Sequence, residues 1–126
     1  MEISLYRIML FGQEIDKLKK FYIDNFGFSL IEEIRNEWAV LKAGQTEIAL
    51  HKIGQSKMNE SEIPFKVENN TKLVFKITGN LPALRQKLID NGVLLQEIKS
   101  FKGFNSLFCD GQDFEGNIFQ LEQKLD

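Results

Sequence analysis

The sequence is poor in the residues that most chemistry and most extracellular scaffolds depend on. Among its 126 residues there is one cysteine, Cys109, so no disulfide can form within the chain. A reducing cytoplasm is the expected setting. Cys109 stands in the apolar run SLFC, which reads as a buried, inert thiol. There is one histidine, His51, which leaves little imidazole for a metal centre. No apolar stretch approaches the roughly 18 residues that a membrane span needs, and no membrane partner is expected. The opening MEISLYRIML is broken by Glu2 and Arg7 and has no basic leader or small-residue cleavage site. It does not read as a signal peptide. No block of one charge exists either: sixteen basic residues are scattered among eighteen acidic ones, for a net charge of −2. That scatter argues against a nucleic-acid partner and against a charged tail.

What remains is an ordinary globular composition, 43% hydrophobic and 27% charged, and enough chain for one domain with a core. Its order is more informative. LYRIMLF (5–11) reads as a strand. A helix follows over about 13–25, in EIDKLKKFYIDNF, with Ile15, Leu18, Phe21, Tyr22 and Phe26 at helical spacing, and Gly27 stands at the left-handed C-cap position. FSLIEEI (28–34), EWAVLKA (37–43) and TEIALHK (46–52) read as three strands, the last two joined by an Ala-Gly-Gln turn. The polar stretch 53–70 has no clear period and is expected to be a linker or exposed loop. The pattern then restarts. TKLVFKI (71–77) is a strand, Asn80 and Pro82 open a helix with Leu81, Leu84, Leu88 and Ile89 on one face, and Gly92 closes it. VLLQEIK (93–99), NSLFCD (105–110) and NIFQLEQ (117–123) complete three more strands.

Both halves are therefore β-α-β-β-β. Asp24-Asn25 before Gly27 corresponds to Asp90-Asn91 before Gly92, and TEIALHK corresponds to NIFQLEQ with Ala49 opposite Gln120. The repeat is too long for a solenoid. The expected fold is α+β: two βαβββ modules in tandem, forming a curved mixed sheet around a cup-shaped pocket. Module 1 covers about 1–52, the linker about 53–70 and module 2 about 71–126 of a single domain.

Three stretches carry a resemblance over nearly the whole chain: KLKKFYIDNFGFSL, LIDNGV and DFEGNIFQLEQ. In this order and spacing they resemble the vicinal oxygen chelate superfamily, which includes glyoxalase I, bleomycin-resistance proteins, fosfomycin-resistance enzymes and extradiol dioxygenases. The last stretch is similar to the family's Asp-Pro-Asp-Gly-Asn turn, with Phe114 and Glu115 replacing proline and aspartate. Asp113 is expected to bond its own turn, Gly116 to supply a positive φ, and Asn117 to tolerate unusual backbone angles at the strand entrance.

Metal-using members of the family place His and Glu ligands at pocket-facing strand positions. Carried over by the resemblance, those positions fall on Arg7, Ala49, Lys72 and Gln120. Arginine has no free lone pair, alanine has no donor atom, lysine is charged at neutral pH, and glutamine offers only a neutral carbonyl. The resemblance therefore implies a protein with no metal, no cofactor and no assigned catalytic residue. His51 shares the strand parity of Ala49 and aligns with Glu122 across the repeat. The two could form a ligand pair, or His51 could be a pocket-wall residue; two ligands alone suit zinc and iron poorly.

Strand alternation selects the walls of the expected pocket: Arg7, Met9, Trp38 and His51 from module 1, and Lys72, Phe108, Gln120 and Glu122 from module 2. Arg7 either grips a ligand's carboxylate or phosphate or pairs internally with Glu122; Trp38 either stacks on a ligand or packs in the core. Such a mixture suits a small organic ligand, anionic or aromatic. The bleomycin-resistance type binds a drug at a dimer groove, so the resemblance also implies a homodimer. The alternatives are a metal-dependent lyase, isomerase or dioxygenase of the same superfamily, and a non-catalytic interaction module with its pocket closed by an Arg7–Glu122 pair.

Overall fold

The computed structural model describes residues 1–53 and 71–125. Most of the expected linker, from residue 54 to 70, lies outside the described residues. The chain divides into two compact units, Met1–Val67 and Glu68–Asp126.

The first unit contains β1 (Arg7–Gly12), α1 (Ile15–Phe26), β2 (Ser29–Ile34), β3 (Trp38–Ala43) and β4 (Thr46–Lys52). Its four strands form a mixed sheet in the order β1-β4-β3-β2. β1 runs parallel to β4, and the other pairs are antiparallel. Ile15, Leu18 and Tyr22 on α1 are fully buried, together with Leu41, Ile48 and Leu50 of the sheet. This apolar stripe at helical spacing is the reason α1 folds onto the strands, because an isolated twelve-residue helix is marginal in water. Gly27 ends it in the left-handed conformation, φ 71°, donating its N–H to the Ile23 carbonyl.

The second unit repeats the plan with β5 (Lys72–Ile77), α2 (Leu81–Asp90), β6 (Leu94–Leu95), β7 (Ser106–Gln112) and β8 (Ile118–Lys124). The sheet order is β5-β8-β7-β6, the same topology as the first, with β5 parallel to β8. Leu73, Leu81, Leu88, Cys109, Phe119 and Leu121 form its core. Asn80 caps α2 by accepting from the Ala83 N–H at 2.8 Å, with Pro82 in the first turn. The expected duplicated βαβββ plan is what the chain adopts, as two four-stranded mixed sheets.

The expected strand 93–99 is shorter than its sequence pattern. Only Leu94 and Leu95 pair as a ladder, with one further bridge between Lys99 and Phe108. The Gln96 N–H still donates to the Asp110 carbonyl at 2.8 Å, but the pairing then shifts by one residue before Lys99 meets Phe108. At the shift the Gln96 carbonyl accepts from side chains, Arg85 Nε at 2.9 Å and Cys109 Sγ at 3.3 Å. Among the described residues, no helix is long and apolar enough to cross a membrane.

The Asp-Phe-Glu-Gly-Asn turn is built around a buried carboxylate. Asp113 Oδ1 accepts from the Glu115 and Asn117 N–H groups at 2.9 and 3.0 Å, and Oδ2 accepts from Asn117 Nδ2 at 2.8 Å. Gly116 has φ 95°, where a side chain would be strained. Asn117 serves through its side chain; among the described residues, the non-glycine with positive φ is Asn36. The turn leads directly into β8, which carries Gln120 and Glu122.

Candidate functional site

Register places the candidate residues in two groups, one on a face of each sheet. In the first unit Arg7, Met9 and Phe11 of β1 pair with Glu47, Ala49 and His51 of β4. Trp38 and Val40 of β3 lie opposite His51 and Ala49. Side chains alternate along a strand, so these residues share one face. Leu10 is buried on the other, while Met9 and Phe11 are exposed.

Arg7 is the centre of this group. Its Nε and Nη2 both donate to Glu47 Oε1, at 3.0 and 2.8 Å, and Glu32 lies 3.9 Å away. Its guanidinium carbon lies 5.0 Å from the Tyr6 ring centroid and 5.6 Å from that of Trp38, within cation–π range. The hydrogen bond to Glu47 raises the Arg7 pKa above its ordinary value, against a smaller opposing effect of burial. His51 sits edge-on between Phe11 and Trp38, with ring centroids at 5.6 and 5.7 Å. Arg7, Trp38 and His51 thus form one aromatic and cationic cluster, with Met9 beside them.

Within its own unit Arg7 is paired with Glu47, and within the second unit Glu122 accepts from Ser106 Oγ at 2.8 Å. Strand alternation alone could not name Glu47, because the pairing depends on the parallel register of β1 on β4. The repeat held a usable hint, since it aligned the two strands that lie beside β1 and β5.

In the second unit Lys72, Val74 and Lys76 of β5 pair with Ile118, Gln120 and Glu122 of β8. Phe108 and Asp110 of β7 lie opposite Glu122 and Gln120. Asp110 is the residue that sequence reasoning missed. Its Oδ2 accepts from Lys72 Nζ at 2.9 Å and its Oδ1 from Gln120 Nε2 at 2.9 Å. Partial burial pushes its carboxyl up, but the bonds from Lys72 and Gln120, with the charges of Lys72 and Lys99, outweigh that and leave it below its ordinary value. Asp110 closes the expected strand 105–110, where parity already puts it on the face of Phe108; its partners follow only from the register of β7 on β8 and of β8 on β5.

A cavity of about 100 Å³ opens beside this cluster, lined by Lys72, Gln96, Glu97, Lys99, Phe101, Phe108, Asp110 and Gln120. Phe108 forms its aromatic wall with Phe101, ring centroids 5.6 Å apart, and Phe104 lies against Phe108 at 6.3 Å. Glu122 is in register with Phe108 but does not line the cavity. Lys72, Phe108 and Gln120 are therefore brought together at one cavity, and Lys99, Phe101 and Asp110 join them.

At Arg7, Ala49, Lys72 and Gln120, where the resemblance implies metal ligands, the donor chemistry does not fit a divalent metal. Arg7 and Lys72 are cations engaged in ion pairs. Ala49 is fully buried and has no donor atom. Gln120 turns its amide nitrogen, a hydrogen-bond donor, toward Asp110. Among the described residues, no cluster of three or more His, Cys, Asp or Glu side chains is placed to hold a metal ion.

The sequence model of the Glyoxalase/Bleomycin resistance protein/Dioxygenase superfamily matches residues 4–117. No curated protein sequence matches the chain. Solved structures share the architecture at low identity. The genomically encoded fosfomycin resistance protein FosX from Listeria monocytogenes is 15% identical, with a TM-score of 0.77 over 99% of this chain and 96% of that one. Lactoylglutathione lyase from Agrobacterium tumefaciens is 14% identical, with a TM-score of 0.75 over 95% of this chain and 92% of that one. An integron cassette protein from V. cholerae is 22% identical, with a TM-score of 0.71 over 98% and 97% of the two chains. At these identities the likeness concerns the fold and leaves the chemistry open.

Proposed function

Since the chain belongs to the glyoxalase/bleomycin resistance protein/dioxygenase superfamily, we propose that it is a metal-free member, one that binds a small organic ligand. The observation that carries this reading is the cluster Lys72–Asp110–Gln120. A carboxylate there is spent on an internal ammonium and an internal amide, and the cation already occupies the place where a divalent ion would need anionic ligands. In the first module Arg7 is likewise held by a carboxylate, Glu47 of the adjacent strand.

The proposed ligand contacts are Arg7, Met9, Trp38 and His51 in module 1, and Lys72, Phe108, Gln120 and Glu122 in module 2, within a single cytoplasmic domain covering residues 1–126 that works as a homodimer. The superfamily contains lyases and resistance enzymes, but no side chain described above forms a nucleophile–base pair or a metal set, so binding without turnover is favoured. One observation favours a second reading, an interaction module: the edge strand β2 is exposed at every residue and displays Leu30, Ile31 and Ile34.

A thermal-shift screen of fragment-sized organic compounds on the full chain tests the binding reading. Hits are expected to quench the fluorescence of Trp38, the only tryptophan, or to lose affinity on Lys72→Met while the variant stays folded. Hits whose affinity is unchanged in both Trp38→Leu and Lys72→Met would contradict the assigned contacts. A screen with no hits, and a chain that self-associates through β2, would favour the interaction module.

A further inference from the structure

We infer that the cavity of the second module is a site for a small aromatic monocarboxylate, with Lys99 as the residue that recognises its charge and Phe101 and Phe108 as the wall that receives its ring. This deepens the proposed binding function and rests on it.

The sign of the ligand follows from the charges at the cavity. Asp110 is taken by Lys72 at 2.9 Å. Glu97 is paired with Arg85 Nη2 at 3.7 Å. The lining itself holds two lysines and two carboxylates. Arg85, beside Glu97 at the rim, is a third cation, so cavity and rim together carry one cation in excess. Lys99, exposed and in no ion pair within 4.0 Å among the described residues, is the one whose charge acts on Asp110 only from a distance. Lys72 adds donors of the same kind, because an ammonium has three N–H groups and only one is given to Asp110. A single negative charge completes the set. A dianion would meet Asp110 and Glu97, and a cation would meet Lys99.

The class of the ligand's body follows from the opposite wall. Phe101 and Phe104 are 51% and 66% exposed and both lie against Phe108, a contiguous aromatic patch open to a partner. Phe101 and Phe108 line the cavity, with Phe104 edge-on behind Phe108, and a further ring can join them in offset or edge-to-face contact. Size sets the upper limit. An apolar cavity of about 150 Å³ holds a benzene molecule. The present cavity of about 100 Å³ admits one ring partly inserted, with its carboxylate at the lysines.

The test is a ¹H–¹⁵N NMR titration of the full chain with benzoate, with acetate and benzylamine as controls. Benzoate is expected to shift amides at Lys99, Phe101, Phe108 and Asp110, with a Kd of about 1 mM, as befits so small a ligand. Acetate should bind at least tenfold more weakly for want of a ring, and benzylamine should leave those amides unmoved. Lys99→Met and Phe101→Ala should each weaken benzoate about tenfold. Both residues are exposed, so an otherwise unchanged spectrum will show that the variants are folded. Raising the salt should weaken binding further. Equal binding of benzylamine, or unchanged affinity in Lys99→Met, would overturn the inference. Shifts confined to the Arg7–Trp38–His51 face would also overturn it while leaving the proposed function standing. No shift with benzoate, when a screening hit still binds, has the same meaning; failure of both would remove the proposed function as well.

Discussion

Replacing Gln120 with glutamate puts a second carboxylate beside Asp110, and its cost can be worked out from the structure. In the native protein Gln120 Nε2 donates to Asp110 Oδ1 at 2.9 Å. Gln120→Glu removes that donor and sets a second carboxylate beside the first. The lost bond to a charged acceptor is worth about 1.5 kcal/mol at the low end of its range, and solvent reduces it here because the Asp110 side chain is 38% exposed. Two like charges about 4 Å apart repel by about 4 kcal/mol at an effective dielectric of 20, and by about 1 kcal/mol in water. Lys72, bound to the other oxygen of Asp110, offsets part of this. A net loss of about 2 kcal/mol at pH 7 is expected from urea unfolding followed by circular dichroism.

The pH dependence separates the two contributions. Asp110 has a depressed pKa in the folded protein, so its contribution to stability is present above the unfolded value near 3.9 and is lost as the pH falls through the folded value. In Gln120→Glu the carboxyl pair shares the site, and one member has a folded pKa raised above its unfolded value. That penalty is present at neutral pH and fades as the pH falls toward about 4. The stability gap between the native protein and Gln120→Glu should therefore narrow between pH 7 and pH 4. Gln120→Met, which loses the hydrogen bond without adding charge, should cost about 1 kcal/mol and show no narrowing between pH 7 and pH 5. A Gln120→Glu protein as stable as the native one at pH 7, or a gap that does not change with pH, would refute the assignment of Gln120 as the donor that Asp110 needs.

Two further substitutions test the frame around the site. Asp113→Ala should lower stability by about 3 kcal/mol in urea, because three donors lose a buried acceptor; Asp113→Asn should recover part of the loss. Gly111→Ala should cost about 2 kcal/mol by overpacking, since its Cβ would come within 2.5 Å of Leu95 Cδ2 and 2.7 Å of Phe119 Cζ; combining it with Leu95→Ala should relieve part of that loss.

The parts of the fold that were legible in the sequence are those fixed by local chemistry. Gly27 at the end of α1, Asn80 and Pro82 at the start of α2, and Asp113 and Gly116 in the turn each announce a backbone requirement that few residues can meet. The repeat was legible too, since both modules bury the same faces of the same elements. The strands that carry Trp38, Lys72 and Phe108 were also legible, from their alternation. Glu47 and Asp110 were missed because their roles arise between strands. Glu47 becomes the partner of Arg7 only through the register of β1 on β4, and Asp110 meets Gln120 only through that of β7 on β8. The shortened β6 escaped notice for a related reason. Its hydrophobic pattern continues past Leu95, but the pairing shifts by one residue after Gln96, whose carbonyl accepts from Arg85 and Cys109. Alternation records which face a side chain takes and says nothing of who stands opposite.

Metal content is the most direct test of the account. The purified chain is to be incubated separately with nickel, zinc, manganese and iron(II), desalted, and assayed for bound metal and melting temperature. Lys72 held by Asp110, Arg7 held by Glu47 and an amide at Gln120 predict less than one tenth of an equivalent of any of these metals and no change in melting temperature. One equivalent of metal per chain with a clear rise in melting temperature would contradict the account and would make a metal-dependent enzyme the leading reading.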